Sequence, residues 1–210
     1  GMITILISPS QLFTDYMQIA SVGSTLLNVA IMLLINIYSY KKLEIPVNGT
    51  VIGSLGMLAG FSFFGKNLFN SIPFMLGVWI YAKVTRQNYR NYVIVGLFGS
   101  ALGPLVSFLA FGGALPSGWS VFVAYALGIF IGFILPQLSM QYLGFHQGFS
   151  LYNVGFTAGI VGMVVLGFLN AFEIEVETKT LASTESPLIL YGILIGLCVI
   201  LLATSFYLHF

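Results

Sequence analysis

A succession of apolar runs about as long as a membrane is thick constrains this chain more than anything else in it. A helix needs about 20 mostly apolar residues to cross a hydrocarbon core of roughly 30 Å. Runs over 16–40, 92–111, 119–142, 154–172 and 187–210 meet or approach that length, and those over 48–64 and 72–82 are shorter. The runs are continuous rather than alternating, so helices carry them and barrel strands do not. Charged residues are 6% of the 210 residues and hydrophobic ones 58%, where a soluble domain carries about 25% charged. That excludes a water-soluble globule. It excludes disorder as well, which needs low hydrophobicity and high net charge. A net charge of +1 offers no basic face to nucleic acid. The single cysteine, Cys198, excludes a disulfide framework or a thiolate metal cluster.

Polar punctuation sets the boundaries. Met2–Ile7 is too short to span and has no preceding Lys or Arg, so it reads neither as a signal peptide nor as a crossing. Thr14 and Asp15 are a plausible helix start, and Lys41-Lys42-Leu43-Glu44 ends the first run. Gly65 to Pro73 interrupts the second and third runs, Pro136 lies within the fifth, and residues 144–153 separate the fifth from the sixth. The hydrophilic stretch 173–186, with Glu173, Glu175 and Glu177 alternating, reads as a solvated loop before the last run.

The segment between Asn48 and Lys83 supplies only roughly 54 Å of helix at 1.5 Å per residue, against about 60 Å plus a turn for two full crossings. Charge placement still favours two. Lys41, Lys42, Lys83, Arg86 and Arg90, five of the seven basic residues, then fall at one end. Asp15, Glu173, Glu175, Glu177 and Glu185, five of the six acidic ones, fall at the other. Cytoplasmic loops are enriched in Lys and Arg. The expected arrangement is thus about seven transmembrane helices, with the N-terminus outside and the C-terminus in the cytoplasm.

Two interruptions read alike. Gly65-Lys66-Asn67-Leu68-Phe69-Asn70 and Gly148-Phe149-Ser150-Leu151-Tyr152-Asn153 both fit G-x-[NS]-L-[FY]-N, and Gly23-Ser24-Thr25-Leu26 pairs with Gly99-Ser100-Ala101-Leu102. The chain is therefore expected to be an all-α polytopic membrane protein forming one membrane domain over 1–210. It holds repeat one at 16–82, an inverted repeat two at 92–172, each with an interrupted or re-entrant helix, and an extra helix at 187–210.

The interruptions also concentrate the polar side chains. Non-helical backbone at membrane depth is tolerated only inside protein or along a watery cavity. Asn67, Asn70, Ser150 and Asn153 have side chains that satisfy freed backbone groups, hold a solute, or cap helix ends. The half-helices that follow aim partly positive N–H groups at whatever lies there. Lys66 is an expensive cation if buried, hence a candidate anion ligand, or else it snorkels to the interface. His146, with Tyr152 six residues on, is a candidate for proton transfer or for a structural hydrogen bond. No metal-ligand spacing and no cofactor or hydrolase motif occurs. Glycines recur at three- or four-residue spacing on 49–56, 99–103, 128–132 and 155–162, as close helix packing requires. Tyr38, Tyr40, Tyr81, Tyr89, Tyr92, Trp119 and Tyr142 fall at run ends, like an interfacial belt.

Three stretches, Ser8-Pro9-Ser10-Gln11-Leu12-Phe13-Thr14-Asp15-Tyr16, Gly60-Phe61-Ser62-Phe63-Phe64-Gly65-Lys66-Asn67-Leu68-Phe69-Asn70 and His146-Gln147-Gly148-Phe149-Ser150-Leu151-Tyr152-Asn153-Val154-Gly155-Phe156, together resemble one family. It is the prokaryotic multi-pass membrane family catalogued as a domain of unknown function (type 1576). The resemblance implies a membrane fold and no activity. It also implies a half-length relative or an excised portion. Ala20-Ser21 stands where the family pattern leads one to expect a Gly-Gly pair.

The function expected from these features is a channel or facilitative transporter for a small neutral or anionic solute, its path lying where the two breaks meet near the midplane. Apolar runs without a carboxylate disfavour coupling to Na⁺ or H⁺. Two alternatives stand beside it: a non-catalytic membrane subunit or binding module, as a homo-oligomer or with a missing second half, and an intramembrane enzyme using His146, Tyr152 or Lys66. In a Cys198→Ser background, a cysteine at Thr178 should react with an impermeant reagent added outside, and one at Gln87 should not. Equal labelling of the two overturns the seven-helix topology.

Overall fold

The computed structural model describes residues 1–10, 14–116, 118–147, 153–174 and 188–209. The elements are α1 (Met2–Ile7), α2 (Tyr16–Ile19), α3 (Val22–Lys42), α4 (Gly49–Phe63), α5 (Leu68–Val84), α6 (Val93–Gly99), α7 (Gly103–Phe111), α8 (Ser120–His146), α9 (Asn153–Ala171) and α10 (Leu188–His209). A 3₁₀ turn at Ser100–Leu102 joins α6 to α7 within one apolar stretch, Val93–Phe111. Among the described residues the one strand-like pairing is an isolated antiparallel bridge between Asp15 and Phe64.

Short polar side chains start the helices. Asp15 accepts from the Met17 N–H, Ser21 from Ser24, Asn48 from Val51 and Asn67 from Asn70. Each satisfies one of the donors that a helix N-terminus leaves orphaned. The Ser21 cap divides the first apolar run: α2 ends at Ile19 and α3 begins at Val22, where a continuous helix from 16 to 40 was expected. The third run also differs. α5 begins at Leu68 rather than 72, so the non-helical break is residues 64–67 and Pro73 lies inside the helix. Proline there removes the donor to the carbonyl four residues back. That carbonyl belongs to Phe69, and the Tyr125 hydroxyl donates to it at 2.9 Å. α8 likewise runs through Pro136 without interruption.

Among the described residues, five stretches are long and apolar enough to cross a membrane: Val22–Lys42, Val93–Phe111, Ser120–Phe145, Asn153–Ala171 and Tyr191–Leu208. α4 and α5, at 15 and 17 residues, are shorter apolar helices. They reach about 22 and 26 Å. The loop before α4 and the loop after α5 meet, with Arg90 Nη1 4.0 Å from Glu44 Oε2. Lys41, Lys42, Lys83, Arg86 and Arg90 therefore gather at one end of the molecule, and the 64–67 break lies away from it.

The tightest crossing is α5 on α8. A β-carbon at Gly77 would run into the Ile129 carbonyl, one at Gly132 into the Phe74 carbonyl, and one at Gly128 into Pro73. Glycine at these three positions is what lets the two backbones touch, the usual device where lipid supplies no hydrophobic drive between helices. Phe74, Val106, Leu109, Ala124, Ile131 and Leu135 fill the core around this crossing. By contrast, none of the α10 stretch Tyr191–Leu208 is buried. Three long helical stretches follow one another in each of 22–84 and 93–171. The paired G-S-x-L elements nonetheless sit differently: Gly23 is the second residue of α3 and Gly99 the last of α6.

Candidate functional site: a buried polar break between α4 and α5

The chain leaves α4 through Gly65, whose φ of 75° lies in the left-handed region that glycine enters without strain. The Lys66 N–H then donates back to the Phe61 carbonyl at 3.1 Å, as in a Schellman-type stop. Asn67 and Asn70 open α5 by capping each other. The Asn70 N–H donates to Asn67 Oδ1 at 3.1 Å, and the Asn67 N–H donates to Asn70 Oδ1 at 3.0 Å. This is a capping box with asparagine at both corners.

The remaining polar atoms bind the surroundings to this turn. Asn70 Nδ2 donates to the Gly65 carbonyl at 2.7 Å and to Ser107 Oγ of α7 at 2.9 Å. Asn67 Nδ2 donates to the Ile5 carbonyl at 2.9 Å and to Tyr16 Oη at 3.0 Å. Asn28 of α3 donates through Nδ2 to the carbonyls of Ser62 and Lys66, at 2.8 and 2.9 Å. The Lys66 ammonium donates to the Leu97 carbonyl of α6 at 2.9 Å, and Lys66 forms no ion pair among the described residues. Asn28, Asn67 and Asn70 are fully buried and Lys66 is 1% exposed. Five elements, α1, α2, α3, α6 and α7, thus converge on residues 66–70. Asn28 Oδ1 is buried without a hydrogen-bond partner among the described residues, which costs about 1–3 kcal/mol.

Asn67, Asn70 and Lys66 are brought together as the sequence suggests, but they face protein rather than open space. Asn153 belongs elsewhere. Its Nδ2 donates to the Ser139 carbonyl of α8 at 2.8 Å, whereas the first turn of α5, just after the first break, meets α8 through Phe69 and Tyr125. Those α8 residues are about 21 Å apart along the helix at 1.5 Å per residue. Asn70 and Asn153 therefore do not share one polar space, contrary to expectation. The reason is local: the Asn67–Asn70 box and the N-terminal segment already satisfy the first break, so it needs no second one. Ser150 and Tyr152 lie outside the described residues, as does the acidic loop from 175 on. Of His146, the backbone closes α8, and its side chain lies outside them too.

Asn28, Ser107 and Tyr16 went unrecognised in the sequence. An asparagine in the middle of an apolar run was the available signal, since burying an amide is costly unless it is bonded. Two belt tyrosines also prove to be clamps. Tyr40 is buried and shares a 2.9 Å hydrogen bond with Ser54, and Tyr81 is buried and donates to Gln137 at 3.2 Å. Tyr38 and Trp119 are exposed, as belt residues are.

A second feature is a groove of about 420 Å³ between α3 and α5, running from Leu68 and Ser71 to Ser39, Trp79 and Tyr89. Ser71 Oγ is buried there without a partner. Tyr89 lies on the loop after α5, where burial, with Tyr40 nearby, pushes its phenol up to about 12. It stays neutral at physiological pH. No group of three His, Cys, Asp or Glu side chains converges among the described residues.

Residues 1–171 match the family described as "Protein of unknown function (DUF1576)". The chain belongs to this family. An "Uncharacterized membrane protein" of Vibrio cholerae serotype O1 is 30% identical over 105 residues. That match covers 50% of this chain and 45% of the relative, under half of the relative's own length. No solved structure matches the chain. Family and relative agree with the apolar helices: this is a multi-pass membrane protein.

Asn70→Leu should destabilise the fold by about 3 kcal/mol, because it unpairs the Asn67 N–H, the Gly65 carbonyl and Ser107 at once. Unfolding in mixed detergent micelles measures this. Unchanged stability would mean that these bonds hold nothing together.

Proposed function

We propose that the protein is a non-catalytic helical subunit of a membrane assembly, joined to a second copy of itself along the glycine face of α4. The observation that carries this is a contrast between glycines. Gly77, Gly128 and Gly132 each take a close contact across the α5–α8 crossing, whereas β-carbons at Gly49, Gly53, Gly56 and Gly60 would meet nothing within 4 Å. These four lie on one exposed stripe of α4, opposite the buried Val51, Ser54, Leu58 and Ser62. An interior helical glycine costs about 1 kcal/mol relative to alanine, and on α4 that cost brings no contact within the chain. A smooth glycine face is what another membrane helix packs against. Gly192 and Gly196 of α10 are equally open. A second copy is the chosen partner because symmetric homo-oligomers are the commonest assemblies. The basic end faces the cytoplasm of a prokaryotic plasma membrane, with the N-terminus outside and the C-terminus inside.

A facilitative path for a small neutral or anionic solute is the second reading. It is favoured by Lys66, whose Nζ donates to the Leu97 carbonyl and has no carboxylate partner among the described residues, and by Asn28 Oδ1, buried without a partner among them. The solute would take both groups as ligands once the packing over them opened. Inverted three-helix repeats belong to this reading as well.

Fluorescence energy transfer between labelled copies in liposomes tests the first reading, with flux of neutral solutes and small anions followed in the same vesicles. Gly53→Leu and Gly56→Leu should each weaken association about tenfold, or about 1.4 kcal/mol, without destabilising the fold. A wild-type monomer, or undiminished association of both variants, defeats the subunit reading. Flux from such a monomer would establish the path.

A further inference from the structure

We propose that the groove between α3 and α5 seats one acyl chain of an anionic phospholipid, whose phosphate is held at the basic end by Lys42 and Lys83. This is independent of the α4 docking face. The groove follows α5 from Leu68 to Trp79, about 16 Å at 1.5 Å per residue. That is half of a hydrocarbon core of roughly 30 Å, the depth of a single leaflet. Its volume of about 420 Å³ suits one ligand of small-molecule size, for which pockets run from roughly 300 to 1,000 Å³. The groove is open sideways to lipid along Ile35 and Leu76, each 41% exposed.

Charge picks the headgroup. Trp79 and Ser39 close the groove at the end where the basic residues gather. Lys83 lies one turn beyond Trp79, its Nζ 5.7 Å from the centre of the indole ring. Lys42 lies three residues beyond Ser39, on the same side of α3. Arg90 is already paired with Glu44, and of the other cations at this end Lys42 and Lys83 are the two that continue the helix faces lining the groove. Buried apolar tail and exposed phosphate match a groove that is apolar along its length and cationic at its mouth.

Bound lipid counted by native mass spectrometry, after equilibration with phosphatidylglycerol or phosphatidylcholine of identical acyl chains, tests this. The anionic lipid should be preferred, by about fivefold for each lysine near the headgroups. Lys42→Ala with Lys83→Ala should abolish the preference. Leu76→Trp, at an exposed wall position, should expel both lipids without affecting unfolding, and Ser71→Leu should do so from the deep end. A preference that survives the double alanine variant, or lipid retained when both filling variants fold normally, overturns the proposal. So does a Leu76→Cys cross-link that traps a second copy in the groove.

Discussion

Backbone that leaves a helix inside apolar surroundings must find new partners for its N–H and C=O groups, at a penalty of several kcal/mol for each one left bare. The turn at 64–67 meets that constraint with asparagine side chains. The reciprocal Asn67–Asn70 box supplies the first turn of α5, and Asn70 reaches back to the Gly65 carbonyl. Asn28 takes the carbonyls of Ser62 and Lys66. The placement of α3, α4, α5 and α7 follows from these bonds.

The N-terminal segment gains its role from the same constraint. α1 and α2 are too short to be stable alone, yet the Ile5 carbonyl and Tyr16 hydroxyl both accept from Asn67. The Asp15–Phe64 bridge adds a backbone link. Six residues of helix and a short second turn thus close over the break at the end away from the basic loops. A break closed in this way is a structural joint. That is why the exposed glycines of α4, rather than the polar side chains of the turn, carry the functional proposal.

Much of the fold was legible because the membrane imposes length and polarity on sequence. The long runs and the gathering of basic loops follow from apolar length and charge, and the helix start at Asp15 from its short polar side chain. Pro73 misled, because a proline reads as a stop until a distant hydroxyl, Tyr125, supplies the missing donor. Ala20-Ser21 hid a helix boundary, since serine in an apolar run reads as a tolerated residue as readily as a cap. At the site, Asn67, Asn70 and Lys66 could be named in advance because they cluster beside a glycine. Asn28, Ser107 and Tyr16 could not, because their partners lie 34 to 51 residues away and only packing brings them together. The glycines look alike in sequence, whereas in the fold some are spent on contacts and others are left open.

Hydrogen–deuterium exchange over 61–71 in lipid nanodiscs tests most directly whether this break is a closed joint. The Asn67 and Asn70 amides donate to buried side chains, so they should exchange as slowly as the amides of α5 and α8 at their crossing. Exchange of these two amides within seconds, while that crossing stays protected, would show a wetted, open break and contradict the account.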